Sequence, residues 1–162
     1  SGGPLGMGLS VATGMALGLR KKENPRSRVY CLLGDGETNE GNVWEAAMSA
    51  SHYHLDNLIA IVDYNKVMAK GFVWDEMSIE PVADKWRAFG WHVEAIDGHD
   101  MAAVVTALEA AKARKGVPTM IIARTIKGKC VSYMENVCEW HGKAPNDEQA
   151  AAALKELEAT LN

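Results

Sequence analysis

No excess of positive charge runs through this chain: 17 Lys and Arg stand against 21 Asp and Glu, a net charge of −4 with histidine neutral. The basic clusters Arg20-Lys21-Lys22 and Lys127-Gly128-Lys129 are short. Without a basic stripe to neutralise phosphates, a nucleic-acid surface built on bulk charge is excluded. No apolar run reaches the length that spans a bilayer, and no cleavable signal is visible in these residues, so no membrane role is expected. Cysteine is scarce too. Cys31, Cys130 and Cys138 form an odd set without metal-ligand spacing, which fits a reduced, cytoplasmic protein. Internal repeats, low-complexity tracts and a clear second domain are missing. What is there, 162 residues of 48% hydrophobic and 23% charged content, is the profile of one globular domain. A chain of this length can bury about 70% of its unfolded surface, enough for a core without disulfides.

The opening Ser1-Gly2-Gly3-Pro4-Leu5-Gly6-Met7-Gly8 has no initiator Met and reads as the middle of a loop, so the chain is expected to lack its natural beginning. Residues 5–19, rich in Ala, Leu, Met and Gly, read as a helix buried on most sides. Residues 29–33 are a continuous apolar run ending in Gly34-Asp35-Gly36, which predicts a strand buried on both faces. A second such run, 58–62, ends in Asp63-Tyr64-Asn65. Further strands are expected at 91–96 and 119–123, and helices at 41–54, 81–89, 101–114 and 146–161. Solid apolar strands alternating with helices predict an α/β fold with a doubly wound parallel sheet. In such sheets ligands bind beyond the carboxyl ends of the strands. Both polar clusters fall there.

Two glycines in Gly34-Asp35-Gly36 let the backbone turn sharply and approach a bulky group, and Asp35 offers a hard oxygen ligand. One helix and one strand later, Asn65 offers an amide oxygen at the neighbouring strand end. Asp35 and Asn65 could therefore reach one cation, with the Val67 backbone carbonyl as the expected third protein ligand. Those ligands leave Mg²⁺ short of its octahedron, which diphosphate oxygens would complete. A second reading stays open on the residues alone: Asp35 caps the following helix and Asn65 takes a left-handed turn.

At this spacing, Gly34-Asp35-Gly36 with Asn65 resembles the thiamine-diphosphate fingerprint. The surrounding text, from Glu37 through Trp44-Glu45-Ala46-Ala47 to Asp63-Tyr64-Asn65, resembles transketolases, above all the amino-terminal subunits of split, two-chain enzymes. The likeness extends from Gly3-Pro4-Leu5-Gly6 through Ile79-Glu80-Pro81, Asp97-Gly98-His99-Asp100 and Lys127-Gly128-Lys129 to His141-Gly142-Lys143-Ala144-Pro145. The resemblance implies that Asp35, Asn65 and the Val67 carbonyl hold Mg²⁺, or Ca²⁺ in its place, and that Gly34 and Gly36 lie against the diphosphate. It implies that Gly3 and Leu5 contact the aminopyrimidine side of the cofactor and that His141 approaches the diphosphate and the reacting centre. Glu40 and Glu45 resemble an acidic pair at the interface between subunits, although Glu40 read alone is a first-turn acid favoured by the helix dipole.

The activity so implied is transfer of a two-carbon ketol unit from a ketose phosphate to an aldose phosphate. The activating glutamate of the family lies in a pyrimidine-binding domain that these residues do not include. The resemblance therefore implies a pyrimidine-domain partner and a symmetric hetero-oligomer. Departures from the family text are Met7 in place of Gln, and the loop Val67-Met68-Ala69-Lys70-Gly71-Phe72-Val73-Trp74. The loop raises a related enzyme acting on a sulfonated or branched sugar. A non-catalytic module that binds cofactor or partner is the reading from a different class. His52, His54 and His99 are expected to be structural or exposed, Trp44, Trp86, Trp91 and Trp140 to fill core or contacts, and the scattered Met residues likewise.

Overall fold

The computed structural model describes residues 5–24 and 26–160. Its sheet has four parallel strands: β1 (Val29–Gly34), β2 (Leu58–Tyr64), β3 (His92–Asp97) and β4 (Thr119–Arg124), in the spatial order β1-β2-β4-β3. Helices connect them: α1 (Met7–Lys21) precedes β1, and α2 (Gly41–His52) leads to β2. The short α3 (Val73–Glu76) and α4 (Val82–Ala88) lead to β3, α5 (Met101–Ala113) leads to β4, and α6 (Asp147–Ala159) closes the chain.

Alternation along the strands divides the core into two layers. Leu58, Ala60 and Val62 of β2 and Met120 and Ile122 of β4 face a layer formed with α1, α2 and α4. Ile59 and Ile121 face the other way, against Ala107 and Ala111 of α5. Helices thus cover both faces, which is the doubly wound arrangement the sequence predicts. Trp86 is fully buried and stands 4.9 Å from Trp44 and 5.2 Å from Trp91, centroid to centroid, so these indoles are core as expected.

Two expectations are corrected. β1 is not buried on both faces: Val29, Cys31 and Leu33 point into the core, whereas Tyr30 and Leu32 are 47% and 71% exposed. β1 is the edge of the described sheet, and its second face lies outside the cover that α5 gives to β2 and β4. Nor is α1 buried on most sides. Leu9, Ala12, Thr13 and Ala16 are buried, and Met7, Val11 and Met15 form an exposed apolar stripe one turn apart.

Helix ends obey local chemistry. Asp100 caps α5 by accepting from the N–H groups of Ala102 and Ala103, and Asn146 with Gln149 forms a reciprocal capping box on α6. The 41–54 helix stops at His52, and His54 turns into positive φ with its Nδ1 3.2 Å from the Gly116 carbonyl oxygen.

Candidate functional site

Parallel register sets the strand ends abreast: Gly34 of β1 pairs with Asp63 of β2, which pairs in turn with Ala123 of β4. Side chains then lace the ends together in series. Glu37, in the 3₁₀ turn Gly36–Asn39, accepts from the Gly6 N–H at 2.8 Å with Oε1 and from the Gly34 N–H at 3.1 Å with Oε2. That joins the loop before α1 to the end of β1. Asp35 accepts from the Gly36 N–H at 2.7 Å and, with its other oxygen, from the Lys66 N–H beyond β2. Asp63 accepts from the Thr125 hydroxyl beyond β4 and from the Asn65 amide nitrogen at 3.1 Å. His99, beyond β3, accepts from the Ile126 N–H at 2.8 Å through Nε2, so its ring joins the last strand end to the rest.

Asp35 is the buried charge of this lattice, 2% exposed. Burial pushes its carboxyl above the usual range, the N–H groups of Lys66 and Gly36 pull it down, and the negative Asp63 nearby adds to the rise. Among the described residues no Lys, Arg or His forms an ion pair with it. A carboxylate so enclosed favours a cation. Asn65 donates through its amide nitrogen and accepts from the Val67 N–H at 2.9 Å, so its amide oxygen faces the Val67 turn. The donors available here, carboxylate, amide and backbone carbonyl oxygens, suit Mg²⁺ or Ca²⁺ rather than a soft metal. Gly36 lies close to Met68, whose Cγ would stand 2.8 Å from an added Cβ, so a side chain at 36 would fill the approach.

The capping reading of Asp35 is borne out, since it caps the 3₁₀ turn, and the same carboxylate also reaches the end of β2 through the Lys66 N–H. Lys66, not Asn65, takes the left-handed conformation, at φ 68°. Leu5 is 66% exposed beside this edge. Gly3 falls outside the described residues. Glu40 is exposed at the start of α2, where it makes no side-chain cap. Gly6, at φ 76°, is pressed against it: an added Cβ would lie 2.7 Å from the Glu40 Cβ. Glu45 is exposed one turn later on α2. His141 is exposed after the 3₁₀ turn Cys138–Trp140, and its side chain makes no hydrogen bond, ion pair or ring contact among the described residues. The structure thus brings Gly34, Asp35, Gly36, Asn65 and Val67 together, and no side-chain hydrogen bond, ion pair or ring contact among the described residues joins His141 to them.

Sequence reading missed Glu37, Asp63 and Thr125. A signal existed for Asp63, a charged residue ending an apolar strand next to Asn65; Glu37 and Thr125 acquire their partners only through tertiary proximity. Beside Asn65 and Lys66 a cavity of about 370 Å³ opens toward Thr125, Ile126 and Asn136. The rings of Phe72 and Trp74 form its wall, stacked 4.6 Å apart and within 5° of parallel.

Fold and site define the class first: an α/β protein with a hard-oxygen site at the carboxyl ends of adjacent parallel strands. Residues 1–159 match the family described as transketolase, thiamine diphosphate binding domain. The chain is 47% identical over 156 residues to the 6-deoxy-6-sulfo-D-fructose transketolase subunit SqwG of Clostridium sp. (strain MSTE9), covering 96% of this chain and 56% of that protein. It is 44% identical to one subunit of the apulose-4-phosphate transketolase of Actinobacillus succinogenes, covering 96% and 55%. The crystal structure of transketolase from Campylobacter jejuni superposes with a TM-score of 0.89 at 34% identity, covering 96% of this chain and 25% of that one. The chain belongs to the transketolase family, through its thiamine-diphosphate-binding domain. It spans about half the length of the curated relatives it matches.

Proposed function

We propose that this chain is the diphosphate-binding part of a two-chain transketolase, completed by a pyrimidine-domain partner in a symmetric assembly. The observation that carries the reading is the buried Asp35 carboxylate, held at the end of β1 and unpaired with any cation among the described residues. In this reading Asp35, the Asn65 amide oxygen and the Val67 carbonyl hold Mg²⁺, with Ca²⁺ as a substitute. Gly34 and Gly36 present backbone to the diphosphate, and Gly3 and Leu5 border the aminopyrimidine. Bound thiamine diphosphate supplies the carbanion chemistry that moves a two-carbon ketol unit. This chain would anchor and orient: Asp35 would offset part of the cation's charge, Gly36 would permit close approach, and His141 would approach the diphosphate and the reacting centre. Glu40 and Glu45 face the partner. Three free thiols, Cys31, Cys130 and Cys138, are in keeping with a cytoplasmic place.

Substrate choice is a second proposal. The 47% identical relative is named for 6-deoxy-6-sulfo-D-fructose, and the loop at 66–74 carries Lys66 and Lys70, of which Lys66 lines the cavity walled by Phe72 and Trp74. Those features favour a ketose with an anionic far end, a sulfonate or phosphate, over a neutral sugar. The test is a ketol-transfer screen of the reconstituted pair with Mg²⁺ and thiamine diphosphate. Donors are fructose 6-phosphate, 6-deoxy-6-sulfofructose and free fructose, with an aldose phosphate as acceptor. Turnover of an anionic donor at least tenfold faster than of free fructose is expected. No transfer from any donor would refute the enzymatic reading and leave the binding-module one.

A further inference from the structure

The amide of Asn65 is fixed from two sides. Its nitrogen donates to Asp63 Oδ2 at 3.1 Å, and its oxygen accepts from the Val67 N–H at 2.9 Å. Both bonds select the same orientation. Turned over, the amide would set its NH₂ against the Val67 N–H, two donors facing, and its oxygen against the Asp63 carboxylate, two acceptors facing. Asp63 is itself held: the Thr125 hydroxyl, from beyond β4, donates to its other oxygen. Thr125 cannot move freely either. Gly98 packs against it so closely that an added Cβ would stand 2.5 Å from the Thr125 Cγ2, and the Thr125 N–H donates to the Tyr64 carbonyl at 3.2 Å.

We infer that Asp63 and Thr125 are positioning residues that aim the Asn65 amide oxygen at the cation site, so that strand β4 sets the metal affinity of a site built on β1 and β2. This rests on the reading of Asn65 as a ligand. Asp63 does so as an acceptor for the Asn65 NH₂, and its oxygens are turned to Thr125 and Asn65. An unheld amide rotates about its last torsion, which is broad for asparagine, and spends part of its time with nitrogen where oxygen is needed. Groups of this kind behind a metal ligand commonly govern affinity by about tenfold to a hundredfold.

The role is acceptor geometry and not charge, which makes it separable. An asparagine at 63 keeps a carbonyl oxygen for the Asn65 NH₂ and turns its own NH₂ to the Thr125 hydroxyl, which accepts by rotating. The experiment titrates Mg²⁺ into the full-length protein assembled with its partner at fixed thiamine diphosphate, following cofactor binding by calorimetry. It compares wild type with Asp63→Ala, Asp63→Asn, Thr125→Val and Asn65→Ala, alongside thermal melts without metal. Expected are a half-saturating Mg²⁺ concentration raised about tenfold or more in Asp63→Ala, and about threefold or more in Thr125→Val, with Asp63→Asn within about threefold of wild type. Should Asp63→Ala fail to fold, Thr125→Val and Asp63→Asn decide alone. Wild-type Mg²⁺ dependence in Thr125→Val, or in a folded Asp63→Ala, overturns the inference. So does a loss in Asp63→Asn equal to that of Asp63→Ala, or a tenfold loss in Asp63→Asn where Asp63→Ala does not fold, since charge would then be the cause. Unchanged metal dependence in Asn65→Ala instead refutes the ligand reading beneath it.

Discussion

The backbone N–H of Lys66 donates to the carboxylate of Asp35 across 31 residues of sequence. This bond ties the turn after β1 to the turn after β2, and it is the middle link of a chain of contacts that runs along the carboxyl edge of the sheet. Lys66 holds φ at 68° to make it, a conformation that costs a non-glycine residue about 1 kcal/mol or more. The same carboxylate is 2% exposed and lifted above the ordinary range by burial. A site that spends stability in this way is a site organised for something other than the fold alone.

Glu37 is the next link, and its removal tests the lattice without touching the proposed ligands. Two backbone N–H groups lose their acceptor in Glu37→Ala, those of Gly6 and Gly34. With the side chain half-exposed, water can reach both, so the expected loss is about 1–2 kcal/mol, or about 2–8 °C in thermal midpoint. Glu37→Gln keeps one acceptor oxygen and should lose about half as much. Equal midpoints for wild type and Glu37→Ala would show that the loop before α1 is not held through this residue.

Gly36 and Gly98 should respond differently to the same substitution. The three atoms nearest an alanine Cβ at 36 all belong to Met68, its Cγ at 2.8 Å, and that flexible side chain can move aside. At 98 it meets the Thr125 Cγ2 at 2.5 Å and, at 3.1 Å, both the Ala123 Cβ and the backbone oxygen of Arg124, which cannot yield. Gly98→Ala is expected to cost about 1–3 kcal/mol, and Gly36→Ala less than about 1 kcal/mol. Binding should follow the opposite ranking for Gly36, whose alanine variant weakens thiamine diphosphate about tenfold despite a near-native melt. Denaturant melts and calorimetry read the two effects separately; a Gly36→Ala variant with wild-type cofactor affinity contradicts the close approach of the diphosphate.

Cys31 should be the last thiol to react. It is 7% exposed, and burial, with a smaller contribution from the negative Glu37, pushes its thiol up to about 11. At pH 8 it stays protonated and enclosed, whereas Cys130 and Cys138 are half-buried. Iodoacetamide labelling followed by peptide mass analysis should modify Cys130 and Cys138 first, and Cys31 only on unfolding. The sign for stability follows: the native state holds this proton more tightly than the unfolded chain, whose thiol has the ordinary value of 9.0. Its contribution is complete below that value and is lost as pH rises from 9.0 toward about 11. Rapid labelling of Cys31 in the folded protein would contradict the packing of β1.

Much of this was legible in the residues. The apolar runs of β2 and β4 are buried through the core, and their polar ends mark the edge where Asp35 and Asn65 lie. β1 has the same kind of run and a different fate, because apolar composition does not reveal that a strand sits at the edge of the described sheet, where Tyr30 and Leu32 face outward. The 3₁₀ turn at Gly36–Asn39 and the four-residue α3 were too short for periodicity to register. Within the site, residue type and spacing pointed to Asp35, Gly36 and Asn65. They could not point to Thr125, 62 residues from Asp63, or to His99 as an acceptor for Ile126, because those pairings exist only once the strands are ordered β1-β2-β4-β3.

The central claim is a metal–diphosphate site on Asp35, and one titration tests it most directly. Thiamine diphosphate is titrated calorimetrically, with and without Mg²⁺, into the protein assembled with the proposed pyrimidine-domain partner, beside Asp35→Asn, which keeps the shape and removes the charge. The account predicts saturable binding that requires Mg²⁺ in the wild type and is weakened about tenfold or more in Asp35→Asn, whose melt without metal stays near wild type. Binding that ignores Mg²⁺, or an Asp35→Asn variant that binds as the wild type does, would contradict it.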